Sequence, residues 1–354
     1  MIRHFHITNP DTHVEKAIRQ KIDHLNKPKG SLGMLEKLAL QIALIQQTDK
    51  PVLRHPCHLM LGADHGVERE NVSISPRDVT WQQMINFTRG GAAVNMFCRQ
   101  HGFELMIIDM GVDHDLTGVP GIINHKIALG TANFKIEPAM TPSQAEQCIR
   151  CGEQFVTLCH EKGCNIISIG EMGIANTSAA AAWMHLLTHL PLKQCVGAGA
   201  GLNEEGIRHK LEVIEESVNC FHQKKDSIWP NTPYELQVLY WFGGFEMVTA
   251  VGAMLRAAEL QMIILVDGFI MTACMLMAHA LYPQTTAYAI FGHQGDEAGH
   301  RLMLEALHAS PLLKLGLRLG EGTGALCAFP LVDSAIRMLN EMDNFEHAGI
   351  IKYF

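Results

Sequence analysis

The chain has 354 residues, 47% of them hydrophobic and only 6% aromatic, with a formal net charge of −8. That length accommodates one large α/β unit with an accessory part, or two domains, and an apolar fraction carried by Ala, Leu, Ile, Val and Met suits a helix-covered sheet better than a β-sandwich. With no Lys/Arg run or basic stripe, the sequence lacks the electrostatic footprint of a nucleic-acid binder, and nucleic acid is excluded as a partner.

The amino-terminal MIRHFHITNPDTHVEKAI contains no continuous apolar run, so no secretory signal is expected and a cytoplasmic location is inferred. SLGMLEKLALQIALIQQ (31–47) has helical periodicity, and the first 50 residues read as mostly helical. HPCH (55–58) crowds ligand-type residues before an apolar run, HLMLGADHG (58–66), that reads as a buried strand ending in Asp64 and His65. TWQQMINFTRGGAAVNMFCRQ (80–100) predicts a helix that Gly90 and Gly91 can break, and ELMIIDMG (104–111) predicts a second strand ending near Asp109.

Of ten scattered cysteines only Cys148 and Cys151 form a CxxC pair, within a segment of helical periodicity and without a second pair to complete a zinc site. Reduced thiols are expected, as suits a cytosolic enzyme. NIISIGEMG (165–173) is the third strand, running into GEMGIANTS (170–178), where Gly173, Asn176 and Thr177 stand at a helix start. Free N–H groups and the helix dipole make such a place an anion site, although ordinary N-capping uses the same residue types.

SAAAAWMHLLTHL (178–190) continues that helix; its His185 and His189 have the i, i+4 spacing of a metal pair but lack the Glu of HExxH, and packed histidines are expected. VGAGAGLNEEG (196–206) is a second glycine turn before a helix over 204–218, with Lys210 one to two turns in. Gly197, Gly199 and Gly201 miss the GxGxxG spacing, so a phosphate cradle with Lys210 as a point charge fits better than a dinucleotide site.

IILVDGFIMTACMLMAHAL (263–281) is apolar enough to be mistaken for a membrane span, but Asp267 and Gly268 divide it into a short strand and a core helix, and no membrane partner is expected. AYAIFGHQ (287–294), ending at His293, is the fifth strand. LGLRLGEGTGAL (315–326) sets one carboxylate, Glu321, between glycines after an apolar run. Desolvation there raises a carboxylate pKa and makes Glu321 a candidate base, against the plainer role of capping a helix that begins near Thr323. The tail beyond residue 325 reads as helical and could meet the amino-terminal helices.

Continuous apolar strands separated by helix-length segments predict a parallel sheet covered on both faces, with ligands bound beyond the carboxyl ends of the strands. Asp64, His65, Asp109, Glu171, Asp267 and His293 stand at those ends and form an expected active-site rim.

KPKGSLGMLEKLA (27–39), ADHGV (63–67), VTWQQMINFTRGGAAVN (79–95), GTANF with PAMT (130–141), GEMGIANTS, GAGAGLN, GGFEM (243–247), VDGF, EAGHR (297–301) and RLGEGTGAL occur in order over nearly the whole chain. Together they resemble the nicotinate-nucleotide–dimethylbenzimidazole phosphoribosyltransferase family. The resemblance implies transfer of ribose 5-phosphate from nicotinate mononucleotide to a benzimidazole nitrogen, giving an α-linked nucleotide for the lower ligand of cobalamin. It implies a Rossmann-like parallel sheet of about six strands in a large domain (51–325), a small helical domain from both ends (1–50 and 326–354), a homodimer, and no metal or organic cofactor.

By the same resemblance Glu321 is the general base, with Glu171 close to the reaction centre. Ser75, Gln83 and Leu319 border the base pocket; Gly173, Asn176, Thr177, Gly199, Gly201, Lys210 and Asp267 hold phosphate and ribose. Ala175, Lys29, Gly292 and Gly295 depart from the residues common in the family. They leave another acceptor base, or a silent nucleotide-binding sensor, as competing readings.

Overall fold

The computed structural model describes residues 2–352. Six strands form one parallel sheet: β1 (Cys57–Ala63), β2 (Glu104–Gly111), β3 (Ile122–Asn124), β4 (Ile166–Met172), β5 (Ile263–Val266) and β6 (Ala289–Phe291), in the order β3-β2-β1-β4-β5-β6. This is the doubly wound order, and the chain reverses direction across the sheet between β1 and β4, where such folds open a crevice at the strand ends. The five expected strands are present. The sixth, β3, is three residues of an edge strand, too short to display any periodicity.

The strands are apolar throughout because both faces are covered; every residue of β1 is buried. Helix Phe245–Glu259 packs on β1, β2, β4 and β5, and helix Pro142–Glu161 packs on it in turn. Their backbones approach closely at Gly152 and Gly252: a Cβ on Gly152 would lie 2.5 Å from the Ala253 nitrogen, and one on Gly252 2.6 Å from the Ile149 Cα. Helices Asp78–Thr88 and Thr323–Glu341 also pack on the sheet.

Predicted helices lie where expected, with shifted ends. The 80–100 segment is two helices, Asp78–Thr88 and Ala93–His101, parted at Gly90 and Gly91. The 204–218 helix runs on to Ile228. Residues 263–281 divide at Asp267–Gly268 into β5 and helix Phe269–Leu281, and no helix among the described residues is long and apolar enough to cross a membrane.

At the chain ends, helices Glu15–His24 and Met34–Ile45 pack together, and the latter packs on Thr323–Glu341. The Asn26 N–H donates to the Asp343 carbonyl at 2.8 Å, and Asn340 Nδ2 donates to the Pro51 carbonyl at 2.8 Å. Helix Thr323–Glu341 starts beside the sheet and ends among these helices, so one rigid element links the strand ends to both termini.

Candidate functional site

A cavity opens beyond the carboxyl ends of β4, β5 and β6, lined by residues 171–177, 267–271 and 317–321 with Val72, Ser73, Gly199, Ala200, His293, Gly295 and Glu297. Its centre is built on a tight turn. Glu321 and Gly322 both have left-handed backbones, with φ of 64° and 79°. The Glu321–Gly322 peptide rests directly on Gly170 of β4, where a Cβ would lie 2.5 Å from the Glu321 carbonyl carbon.

Two roles were open to Glu321, base or helix cap, and the capping is done by Asp267. Asp267 Oδ1 accepts the N–H groups of Gly324 and Ala325 at 2.7 and 3.0 Å, and Oδ2 accepts that of Gly322 at 3.2 Å. The free donors at the start of helix Thr323–Glu341 are thus met by a carboxylate at the end of β5. Glu321 turns the other way. Gln83 Nε2 donates to its Oε1 at 2.7 Å and the Val94 N–H to its Oε2 at 3.4 Å. The Gly90–Gly91 break supplies this second contact, because it ends one helix and presents the first turn of the next to Glu321. Burial raises the Glu321 pKa, the Gln83 and Val94 hydrogen bonds oppose that rise, and the charge of Asp267 adds to it.

Glu171, at the end of β4, is held by a hydrogen bond from Asn176 Nδ2 to its Oε2. Its other oxygen lies against Gly320, where a side chain would collide with it. Burial pushes its pKa well above the usual carboxylate range, the Asn176 bond opposes this, and Glu246, Asp267 and Glu321 push it further. Two glutamates from different elements therefore share one pocket with unequal support for their charged forms.

The end of the cavity expected to take an anion is made by two turns. Gly173 and Asn176 line the cavity with Thr177, at the start of helix Asn176–Thr188. Gly199 lines it from the glycine turn, while Gly201, with φ of 119°, shapes that turn without lining the cavity. Lys210 lies behind Thr177, fully buried, its Nζ donating to Thr177 Oγ1 at 2.8 Å; burial lowers its pKa to about 8, and the charge of Glu297 partly opposes that. The glycine turn follows the short helix Leu192–Cys195 and not a strand, which removes the context a dinucleotide fingerprint requires.

Leu319 stands on the cavity wall, 49% exposed. Ser75 is half-buried and outside the lining, its N–H donating to Ser73 Oγ at 3.2 Å, so of that loop Val72 and Ser73 reach the cavity. His58 of the HPCH run is buried beneath the site, where a Cβ on Gly322 would collide with its ring, and burial lowers its pKa to about 4. His185 Nδ1 is 2.6 Å from the Leu190 carbonyl, and His189 ends its helix with φ of 60°.

Sequence reasoning missed Val94, Glu246, Glu297 and Arg318. Glu246 is completely buried, with His65 Nε2 2.7 Å from its Oε1 behind Gly173; Glu297 Oε1 accepts the Gly199 N–H at 3.0 Å. The motifs GGFEM, EAGHR and RLGEGTGAL contained three of them, but nothing local to those strings shows which way the side chains face. Val94 acts through its backbone and left no signal.

A family model described as phosphoribosyltransferase matches residues 7–350. A nicotinate-nucleotide–dimethylbenzimidazole phosphoribosyltransferase of Bacteroides fragilis is 57% identical over 350 residues, covering 99% of each chain. One from Dechloromonas aromatica is 47% identical over 98% of each. The crystal structure of CobT from Thermus thermophilus superimposes with a TM-score of 0.90 at 38% identity, covering 96% of this chain and 99% of that one.

Proposed function

The chain belongs to the nicotinate-nucleotide–dimethylbenzimidazole phosphoribosyltransferase family, and from that premise we propose how its site performs the transfer. The protein moves the ribose 5-phosphate of nicotinate mononucleotide onto 5,6-dimethylbenzimidazole, giving α-ribazole 5′-phosphate and nicotinate in lower-ligand assembly of cobalamin. Transfer to a different acceptor, or a silent sensor, is not favoured by full-length similarity to enzymes so named.

The observation that carries the mechanism is the placing of Glu321 in the cavity, buried, raised in pKa and free of its own helix. Its charged form receives two N–H donors, whereas Glu171 receives one and faces three other acids. Glu321 therefore ionises first and Glu171 retains its proton, which is how neighbouring carboxyls divide acid and base roles. Glu321 takes the N–H proton of the azole as its other nitrogen attacks C1′ of the ribose. The new N–C1′ bond forms as the bond to the pyridinium nitrogen breaks, and nicotinate leaves with that electron pair. Attack opposite the leaving base converts the β-linkage to an α-linkage.

Gly173, Asn176, Thr177 and Gly199 line the phosphate end, Gly201 shapes its glycine turn, and the Lys210 ammonium supports it from behind Thr177. Asp267 borders the ribose and fixes the turn bearing Glu321. Gln83 and Leu319 border the benzimidazole, and Ser75 belongs to the loop whose Val72 and Ser73 reach the cavity. The transfer uses groups of this chain, with no metal or organic cofactor. The helices of residues 1–50 and 326–354 form a small domain, the protein is a cytoplasmic homodimer, and its ligands are small molecules and not nucleic acid or membrane.

The test is nicotinate release from nicotinate mononucleotide with and without 5,6-dimethylbenzimidazole, together with the anomeric form of the product. Glu321→Gln is expected to lower turnover by at least about a hundredfold while nucleotide binding is retained; unchanged turnover removes Glu321 from the base role.

A further inference from the structure

The cavity wall carries four carboxyl groups, Glu171, Asp267, Glu297 and Glu321, and a single guanidinium, Arg318. A nicotinate nucleotide carries two anionic groups, a phosphate at one end and a ring carboxylate at the other. Thr177, Gly199 and Lys210 serve the phosphate. A carboxylate brought beside the ionised acids of this wall without a counter-charge is repelled, and its desolvation is uncompensated. His293, the other basic side chain on the wall, is buried and already faces Asp267, with Nε2 3.4 Å from Oδ1.

Arg318 differs from His293 in each respect. It is exposed, and among the described residues it has no hydrogen-bond or ion-pair partner. Its backbone is nevertheless fixed from both sides, for the Asp296 N–H donates to the Leu317 carbonyl at 2.9 Å and Thr323 Oγ1 donates to the Leu319 carbonyl at 3.1 Å. A guanidinium on an anchored segment, with its planar fork unoccupied, suits bidentate capture of a carboxylate.

We propose that Arg318 binds the ring carboxylate of the donor, and so makes the enzyme select a nicotinate nucleotide over the corresponding nicotinamide nucleotide. The assignment rests on the phosphoribosyltransferase reading above. The same contact receives nicotinate as it departs, since the carboxylate persists while the glycosidic bond breaks.

The experiment measures kcat/KM for nicotinate mononucleotide and for nicotinamide mononucleotide, with 5,6-dimethylbenzimidazole as acceptor, in the full chain and its Arg318→Gln and Arg318→Lys variants. Thermal melts check that each is folded. Arg318→Gln is expected to reduce the preference for the nicotinate nucleotide by roughly 10- to 100-fold, the range of a charge-assisted hydrogen bond. Arg318→Lys is expected to restore part of it, and inhibition by added nicotinate to weaken in the Gln variant. An unchanged preference, or an equal fall for both donors as loss of a phosphate contact produces, overturns the assignment. A parent enzyme that transfers from neither donor overturns the transferase reading itself and this assignment with it.

Discussion

Ala175 precedes helix Asn176–Thr188 with φ of 75°, in the left-handed region, and is 6% exposed. Resemblance to the family places glycine at this position, and the backbone explains why: a Cβ in that conformation costs roughly 1–2 kcal/mol. Ala175→Gly is therefore expected to stabilise the fold by about 1 kcal/mol, because the greater freedom of glycine in the unfolded chain offsets part of the relief. Chemical denaturation measures it, and a destabilised variant means that the methyl contributes packing the strain argument omits.

Glu171 makes the opposite kind of prediction, one that depends on pH. Its folded pKa lies well above the unfolded value, so between the two the folded chain holds a proton that the unfolded chain has released. Stability from this group is complete below the unfolded pKa, about 4.3, and is lost as pH rises toward the folded one. Glu171→Gln removes that loss. The variant is expected to gain thermal stability relative to the parent as pH rises above the unfolded value, while turnover falls. A gain independent of pH would show that Glu171 is not held neutral.

At the scale of elements, the decisive contact joins the end of β5 to the start of helix Thr323–Glu341. Asp267 meets three of the free N–H groups there with one carboxylate, and that same turn aims Glu321 at Gln83. Asp267→Ala leaves those donors unpaired in a buried place, an expected loss of about 1–3 kcal/mol. Because the turn then moves, kcat is expected to fall as well. Retained stability with full activity in urea denaturation and steady-state assays would show that other groups take over the cap.

Gly152 and Gly252 set the distance between two helices. The helix pair Pro142–Glu161 and Phe245–Glu259 has backbone where any larger side chain at these positions must go. Gly152→Val is expected to cost at least about 1–3 kcal/mol through overpacking, read as a lowered denaturation midpoint. An unchanged midpoint would mean that the helices can part without loss.

For the molecule as a whole, light scattering on the purified protein is expected to give twice the chain mass, as the proposed homodimer requires; a monomer at working concentration removes that part of the proposal. The proposed boundary at residues 325 and 326 falls inside helix Thr323–Glu341. At that junction the two proposed domains are joined by a helix, whereas at residues 50 and 51 they are joined by the irregular segment between helix Met34–Ile45 and β1.

What the sequence determined by itself follows from local regularities. Buried parallel strands must be apolar along their whole length, so five of six were readable from runs such as HLMLGADHG, and glycine-flanked Glu321 was readable as an unusual carboxylate. β3 was not, since three edge residues carry no pattern. Nor could the sequence show which carboxylate caps helix Thr323–Glu341 or what surrounds Glu321, because that depends on Asp267, 54 positions earlier, and on a backbone N–H of Val94 presented by a helix break. The unequal hydrogen bonding of Glu171 and Glu321, the withdrawal of Lys210 behind Thr177 and the isolation of Arg318 were likewise decided by the tertiary structure. Burial and distance set a carboxyl's proton affinity and a cation's availability, and both come from residues that only folding brings together.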